Sequence, residues 1–383
     1  MTSVALIAVA KDEDTYIHEW IHHHLYLGFS PIYIGVNRTS DKTIEIIEKI
    51  SKTEKEVHVY CLDWIDQGSN GLNKDIQKIG YAYLSTKIDK SKIDYVGFLD
   101  IDEFWFNVEN KNIHDFIDEN MRFDIASFYW LCQLGEDREF LPPFKDVLYD
   151  ADKHVKSIVS TSTLDHIQTF TPHVPIYKAN YYKNLVHIDQ QGKKIFQLGS
   201  KKRFNKPFPV SDLKTISTCI LHRMKRSERE YLSIVLRGRP SGHLIKSNGR
   251  TGFKKANSIL PSIYDENYYN SLIKFILTND LTEILKLARN KKLHYYQDKI
   301  ESMNDTQLIA EFYNAQIALA NTIGLNVYAS ALIKKVEDVD SLKEFSESLE
   351  SYDLKLSIQL MQKAHDLSPK DPLIKNKLDE YLQ

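Results

Sequence analysis

The chain has 383 residues, 42% of them hydrophobic and 27% charged, with a net charge of −2, the composition of an ordinary globular protein long enough for two domains. Cys61, Cys132 and Cys219 stand far apart with no CxxC pair, which excludes a disulfide framework or a structural zinc site and suits a reducing compartment. The apolar stretch Val4–Ala10 is too short for a signal-peptide core or a membrane span, and no other segment approaches one, so the expected location is cytoplasmic.

In chain order, residues 3–10 are apolar throughout, as in a strand buried on both faces. Helical spacing follows from about Asp12 to Leu27, with Gly28 as its stop. Pro31 to Val36 predicts a second strand, and Ser40 or Asp41 can cap a helix running through Ile50. Val57–Leu62 reads as a third strand, Asp75–Leu84 as a helix, and Tyr95–Leu99 as a fourth strand running into Asp100-Ile101-Asp102-Glu103. This alternation predicts an α/β fold with a mainly parallel sheet flanked by helices. Ligands bind such sheets beyond the C-terminal strand ends, where Asn37 to Asp41 and Asp100 to Glu103 fall. From Phe123 to about Lys255 short strands such as Ile125–Trp130 and Ile216–His222 alternate with long loops. After Tyr264 the pattern is helical, at Tyr269–Leu277, Leu281–Arg289, Asp305–Ile323 and Leu354–Leu367. We therefore expect one domain over residues 1–260 and a helical region over 261–383. The final stretch, with Pro369 and Pro372, resembles one tetratricopeptide-type helix pair, and a single repeat reads as a helical cap rather than a solenoid.

The charge is uneven. Between Lys178 and Lys255 there are 19 Lys or Arg against four acids. A phosphate-rich partner fits this run, whether diphosphate, anionic lipid or nucleic acid, as does a solvated surface.

Asp100 and Asp102 carry the sharpest chemical signal. Two carboxylates at i and i+2 past a buried strand can reach one hard cation, Mn²⁺ or Mg²⁺, which bridges to phosphate oxygens. Three stretches now combine. They are Lys11-Asp12-Glu13 with Tyr16–Gly28, Asn37 to Asp41, and Asp94 to Phe104; Leu221-His222-Arg223-Met224-Lys225-Arg226-Ser227-Glu228 with Tyr231 and Arg237-Gly238-Arg239 adds a fourth. Together they resemble glycosyltransferases of the family 92 and family 2 type, which have the GT-A fold, over about residues 3–255. The resemblance implies a Rossmann-like GT-A sheet, a nucleotide-diphosphate sugar donor (a UDP-sugar first), a divalent cation, and a saccharide or lipid-linked acceptor. It places Asp100, Asp102 and His222 at the metal and Lys11, Glu13, Asn37, Asp41, Asp100, Lys225 and Arg237 around the donor. It departs from the group at Asp12, Asn37 and Arg223. Cell-surface polysaccharide or lipopolysaccharide synthesis would follow, at the inner face of the membrane, with no nucleic-acid partner.

Several residues keep two readings. His222 is either a ligand or a histidine packed at a strand end. Glu136 and Asp137, beyond the strand ending at Trp130, offer a general base for an inverting transfer, or are surface acids; Asp165, His166 and His173 are further candidates. Trp130 either stacks on a sugar or closes the core. His22-His23-His24 point in different directions on a helix and read as packing. Gly68-Ser69-Asn70-Gly71 lacks the Lys-Ser/Thr ending of a phosphate-binding loop, and no GxGxxG follows the first strand. A non-catalytic module gripping nucleic acid or anionic membrane through residues 178–255 is the alternative; its binding would be salt-sensitive and indifferent to metal.

Overall fold

The computed structural model describes residues 2–68, 75–120, 122–195, 217–238, 242–247, 252–253, 259–260 and 263–383. Ser69 to Gly71, Arg239 and the centre of the basic run lie outside them. Two compact units divide the chain, one of Met1–Leu134, Leu141–Met224 and Ala256–Arg289, the other of Gly135–Phe140, Lys225–Lys255 and Asn290–Gln383.

The first unit opens with β1 (Val4–Ala10), α1 (Ile17–Tyr26), β2 (Ile32–Val36), α2 (Thr43–Thr53), β3 (Val57–Cys61), α3 (Ile76–Ser85) and β4 (Tyr95–Phe98). Then come β5 (Glu103–Asn107), α4 (Ile113–Glu119), β6 (Ile125–Gln133), β7 (Val147–Ser160), β8 (Ile167–Thr169), β9 (Ile176–Tyr177), α5 (Ala179–Tyr182), β10 (His187–Asp189) and β11 (Thr218–His222). The strand order is β3-β2-β1-β4-β7-β6-β11-β5, with β10 also on β6, while β8 and β9 pair separately. β3, β2, β1 and β4 are all parallel. Past them the sheet becomes mixed, because β7 runs antiparallel to β4 and β6 and β5 antiparallel to β11. This is the α/β architecture expected, with its parallel half at the N-terminus.

β1 shows why the early strands read so clearly. Val4, Leu6, Ala8 and Ala10 enter one core with Ile17, Trp20 and Ile21 of α1 and Ile46, Ile47 and Ile50 of α2. Ala5 and Ile7 enter another with Tyr81 and Leu84 of α3. A strand covered on both faces has no polar position to spare. Gly28 ends α1 with φ +87°, and a Cβ there would meet the His114 ring at 2.8 Å; glycine takes that backbone without strain.

The second unit contains α6 (Glu228–Leu236), and, after α7 (Glu266–Thr278) in the first unit and α8 (Thr282–Ser302), it continues through α9 (Asp305–Ala318), α10 (Ile323–Lys335), α11 (Val339–Leu349), α12 (Leu354–Leu367) and α13 (Pro372–Leu382). Its core joins Tyr231, Leu232, Val235 and Leu236 of α6 to Leu308, Phe312, Leu332, Phe345, Leu360 and Leu378. Ser227 caps α6 in a box with Glu230, and Pro372 occupies the first turn of α13.

The short strand β12 (Ile259–Leu260) pairs with β7. No described helix is long and apolar enough to cross a membrane.

Candidate active site

Register sets the site. Ile7 of β1 pairs with Phe98 of β4, and Gly97 with Ile158 of β7, so the turn after β4 lies beside Lys156 on the antiparallel β7. The Asp100 N–H donates to Glu103 Oε2 at 2.8 Å, closing the turn. Asp100 Oδ1 accepts from the Tyr81 hydroxyl at 2.9 Å and from Gln77 of α3, and Oδ2 accepts from Lys156 Nζ at 3.1 Å. Three donors therefore fix a carboxylate that keeps about one of its four lone-pair positions open. The Asp100 side chain remains 33% exposed.

Lys156 and Glu103 sit below it, both side chains fully buried, 2.8 Å apart. Burial drives the Glu103 carboxyl well above the carboxylate range, and Lys156 opposes the rise while Asp100 and Asp102 add to it. Burial alone would lower Lys156, but the charges of Asp100 and Glu103 and their hydrogen bonds outweigh it and hold the ammonium above its ordinary value. Glu103 Oε1 has no hydrogen-bond partner among the described residues.

Asp102 lies two residues past the fixed acid, and its Oδ2 is 3.4 Å from His222 Nε2. The backbone carbonyl of Asp102 accepts the Arg223 N–H at 2.7 Å, which ties the acidic turn to the end of β11. Arg223 is itself buried: Nη1 meets Glu19 Oε2 at 2.7 Å, Nε meets Gln133 Oε1 at 3.0 Å, and Nη2 donates to the Leu141 carbonyl. At the position where the resembled group has an aromatic side chain, this guanidinium clamps α1, β6 and β11 together. The His222 ring lies 4.3 Å from the Trp130 ring, and its Nδ1 is buried with no hydrogen-bond partner among the described residues. Asp102 and His222, far apart in sequence, therefore meet, with Asp100 in the same turn as Asp102. Among the described residues no three His, Cys, Asp or Glu side chains stand close enough to hold a metal unaided.

The other candidates divide. Asn37 follows β2 and donates from Nδ2 to the Leu62 carbonyl and to Asp66 Oδ2, at 3.2 and 3.1 Å. Arg38 pairs with Asp66, and the charge of Lys11 is felt there too. Lys11 and Asn37 thus share the mouth formed by the ends of β1 and β2. Asp41 braces instead: Oδ1 accepts from the Thr43 N–H and hydroxyl, and Oδ2 accepts the Asp14 N–H. Burial, then Asp14, raises its pKa. The Glu13 N–H donates to Thr43 Oγ1.

Glu136, Asp137, Lys225 and Arg237 belong to the second unit. Glu136 accepts the N–H groups of Asp137 and Arg138 and both Nε and Nη2 of Arg138. Burial opposes its ionisation, yet Arg138 and the backbone outweigh that and hold the carboxyl below its usual range. Asp137 is exposed. Lys225 is buried and donates to the Gly252 carbonyl at 3.0 Å, and Arg237 follows the last turn of α6. The three consecutive histidines of α1 take separate partners: His22 meets Ser271, His23 meets Tyr268 and the Trp105 carbonyl, and His24 meets the Trp20 carbonyl.

Sequence reasoning missed Tyr81, Gln77 and Lys156, the groups that fix Asp100. A lysine between Val155 and Ser157 reads as solvent-facing, and only the register against β4 turns it inward.

The fold is thus a mixed α/β sheet with Asp100 and Asp102 in the turn after β4 and His222 at the end of β11. Its relatives carry one common name. The chain is similar to glycosyltransferase family 92 proteins, with 24% identity over 109 residues to one from Ricinus communis, covering 28% of this chain and 17% of that protein. To one from Oryza sativa subsp. japonica it is 24% identical over 113 residues, 30% of this chain and 18% of the other. To one from Arabidopsis thaliana it is 29% identical over 91 residues, 24% and 14%. The matching stretch spans less than a fifth of each relative's length. No family model matches. Among solved structures, a Bacillus anthracis protein provisionally described as a glucose-1-phosphate thymidylyltransferase, in complex with sucrose, covers 51% of this chain and 88% of its own at 11% identity and TM-score 0.29.

Proposed function

We propose that this chain is a metal-dependent glycosyltransferase. It takes a nucleotide-diphosphate sugar, a UDP-sugar first, and transfers the sugar with inversion to a saccharide or lipid-linked acceptor in cell-surface polysaccharide or lipopolysaccharide synthesis. The observation that carries this reading is the 3.4 Å approach of His222 Nε2 to Asp102 Oδ2 beside the fixed Asp100 carboxylate. The similarity to family 92 proteins supports it.

A carboxylate oxygen and an imidazole nitrogen at that separation suit Mn²⁺ or Mg²⁺, ions that commonly complete their shells with water and substrate phosphate. Asp102 and His222 would hold the ion. When bound, the cation supplies Lewis acidity against the charge of the departing nucleoside diphosphate. The protein's own part is preorganisation. Lys156, Tyr81 and Gln77 hold Asp100 as an oriented acceptor for a donor hydroxyl or a metal-bound water. The buried Lys156 charge keeps the acidic turn from repelling itself before the ion arrives. Lys11 and Asn37, at the ends of β1 and β2, would line the nucleotide side.

Asp102→Ala tests the reading. Nucleoside diphosphate release from a panel of UDP-glucose, UDP-galactose, UDP-N-acetylglucosamine and GDP-mannose is expected only with Mn²⁺ or Mg²⁺. It should drop at least roughly hundredfold in the variant, a loss typical of removing one preorganised electrostatic group, while the melting temperature of the metal-free protein stays unchanged. Full turnover in excess chelator would refute the mechanism.

A further inference from the structure

Strand β7 carries a cluster with no role in the reading above. Val155 pairs with Tyr129 and Ala151 with Leu131, so three residues, Asp152 to His154, stand opposite Trp130 alone. Irregularities of this kind re-aim side chains and concentrate beside active sites. Here Asp152 Oδ1 receives both the backbone N–H of His154, at 2.8 Å, and its ring Nδ1, at 2.5 Å. The carboxylate sets the tautomer, with the proton on Nδ1 and the lone pair on Nε2. No described residue bonds Nε2. Partial burial of Asp152 works against its charge, but the hydrogen bonds from the backbone and ring N–H groups of His154 outweigh it and hold the carboxyl below its usual range.

Exposure separates this imidazole from those of α1. The His154 side chain is 43% exposed and that of Asp152 37%, whereas His22, His23 and His24 are buried. The His154 ring packs 5.1 Å from Trp130 and 5.2 Å from His173. Trp130 in turn touches His222, the partner of Asp102. One indole therefore contacts both His154 and His222. Glu136, the acid expected from sequence, is by contrast engaged by four N–H donors.

We propose that Asp152 and His154 are the proton-accepting pair of this enzyme, and that the Trp130 ring carries the acceptor beside them. The inference rests on the glycosyltransferase reading. In the step, the acceptor oxygen bonds to the anomeric carbon as the bond from that carbon to the diphosphate oxygen breaks. The electron pair leaves with the nucleoside diphosphate, and the hydroxyl proton passes to His154 Nε2. Asp152 stays ionised and stabilises the imidazolium, as the acidic member of a hydrolase triad does.

The test uses the full chain with Mn²⁺ and the same four nucleotide sugars, with water and p-nitrophenyl glycosides as acceptors. His154→Ala is expected to lower kcat by roughly 100- to 10,000-fold, the range of a lost general base. Donor KM and the donor-induced rise in melting temperature should stay near the wild-type values, and added imidazole should restore at least about tenfold of the rate. His154→Gln, which can keep a hydrogen bond to Asp152, should lose the same activity at an unchanged melting temperature. Wild-type turnover in either variant overturns the assignment, as does a loss confined to donor KM that imidazole does not relieve. If the wild-type chain neither binds nor cleaves any donor, the glycosyltransferase reading falls and the pair falls with it.

Discussion

Lys156 is the residue on which the acidic turn depends. Its ammonium is buried between Asp100 and Glu103, so removing it leaves two carboxylates facing each other without a counter-charge. Lys156→Met should lower stability by about 3–5 kcal/mol, the cost of breaking a buried pair, read as a fall in the denaturant midpoint. The same variant should bind Mn²⁺ more weakly, because Asp100 loses a donor that orients it. At this scale the sequence was legible where chemistry and position coincided: Asp100 and Asp102 follow an apolar run, and His222 closes another. It was opaque where a side chain acquires meaning from a neighbouring strand. Lys156, Tyr81 and His154 are each common residue types in unremarkable settings, and no spacing rule connects them to residue 100.

Among the elements, α1 shows how burial converts histidines into a pH liability. Burial, followed by the charge of His18, lowers His22 from 6.5 to about 4; burial takes His24 to about 3 against the Trp20 carbonyl bond, and His18 and His23 are lowered as well. The folded chain refuses protons that the unfolded chain accepts below pH 6.5. Stability is therefore full above that pH and declines as pH falls, with the His22 contribution exhausted near pH 4 and that of His24 near pH 3. Chemical denaturation between pH 7.5 and 4.5 should follow this decline, and His22→Phe should flatten it by about 1.4 kcal/mol per pH unit. Elements buried on both faces, β1, β2 and β4, could be read from composition alone. β7 could not, because Asp150, Asp152, Lys153 and His154 interrupt its alternation, and the interruption is where the structure departs from regular pairing. α10 and α11 also escaped the reading: α10 is apolar through Ile333 apart from the single polar residues Asn326 and Ser330, and the apolar residues of α11 are few.

At the scale of the whole molecule, the second unit is discontinuous in sequence, since α6 shares one core with helices that follow residue 290. A chain ending at Arg289 would strip Tyr231, Leu232, Val235 and Leu236 of their partners and expose a contiguous apolar face. Such a truncation should aggregate or bind a hydrophobic dye strongly, whereas a folded, dye-silent fragment would mean that α6 can be covered otherwise. The sheet permits a gentler cut. Three residues opposing one leave a surplus of two, and side chains along a strand alternate with period two. Excising one residue from 152–154 would invert every side chain on one flank of β7; excising two would close the ladder with Lys156 and Ala151 still facing as they do now. The dipeptide is thus an even-numbered insert in a strand that is complete without it, and a family of sheets could gain or shed it without refolding.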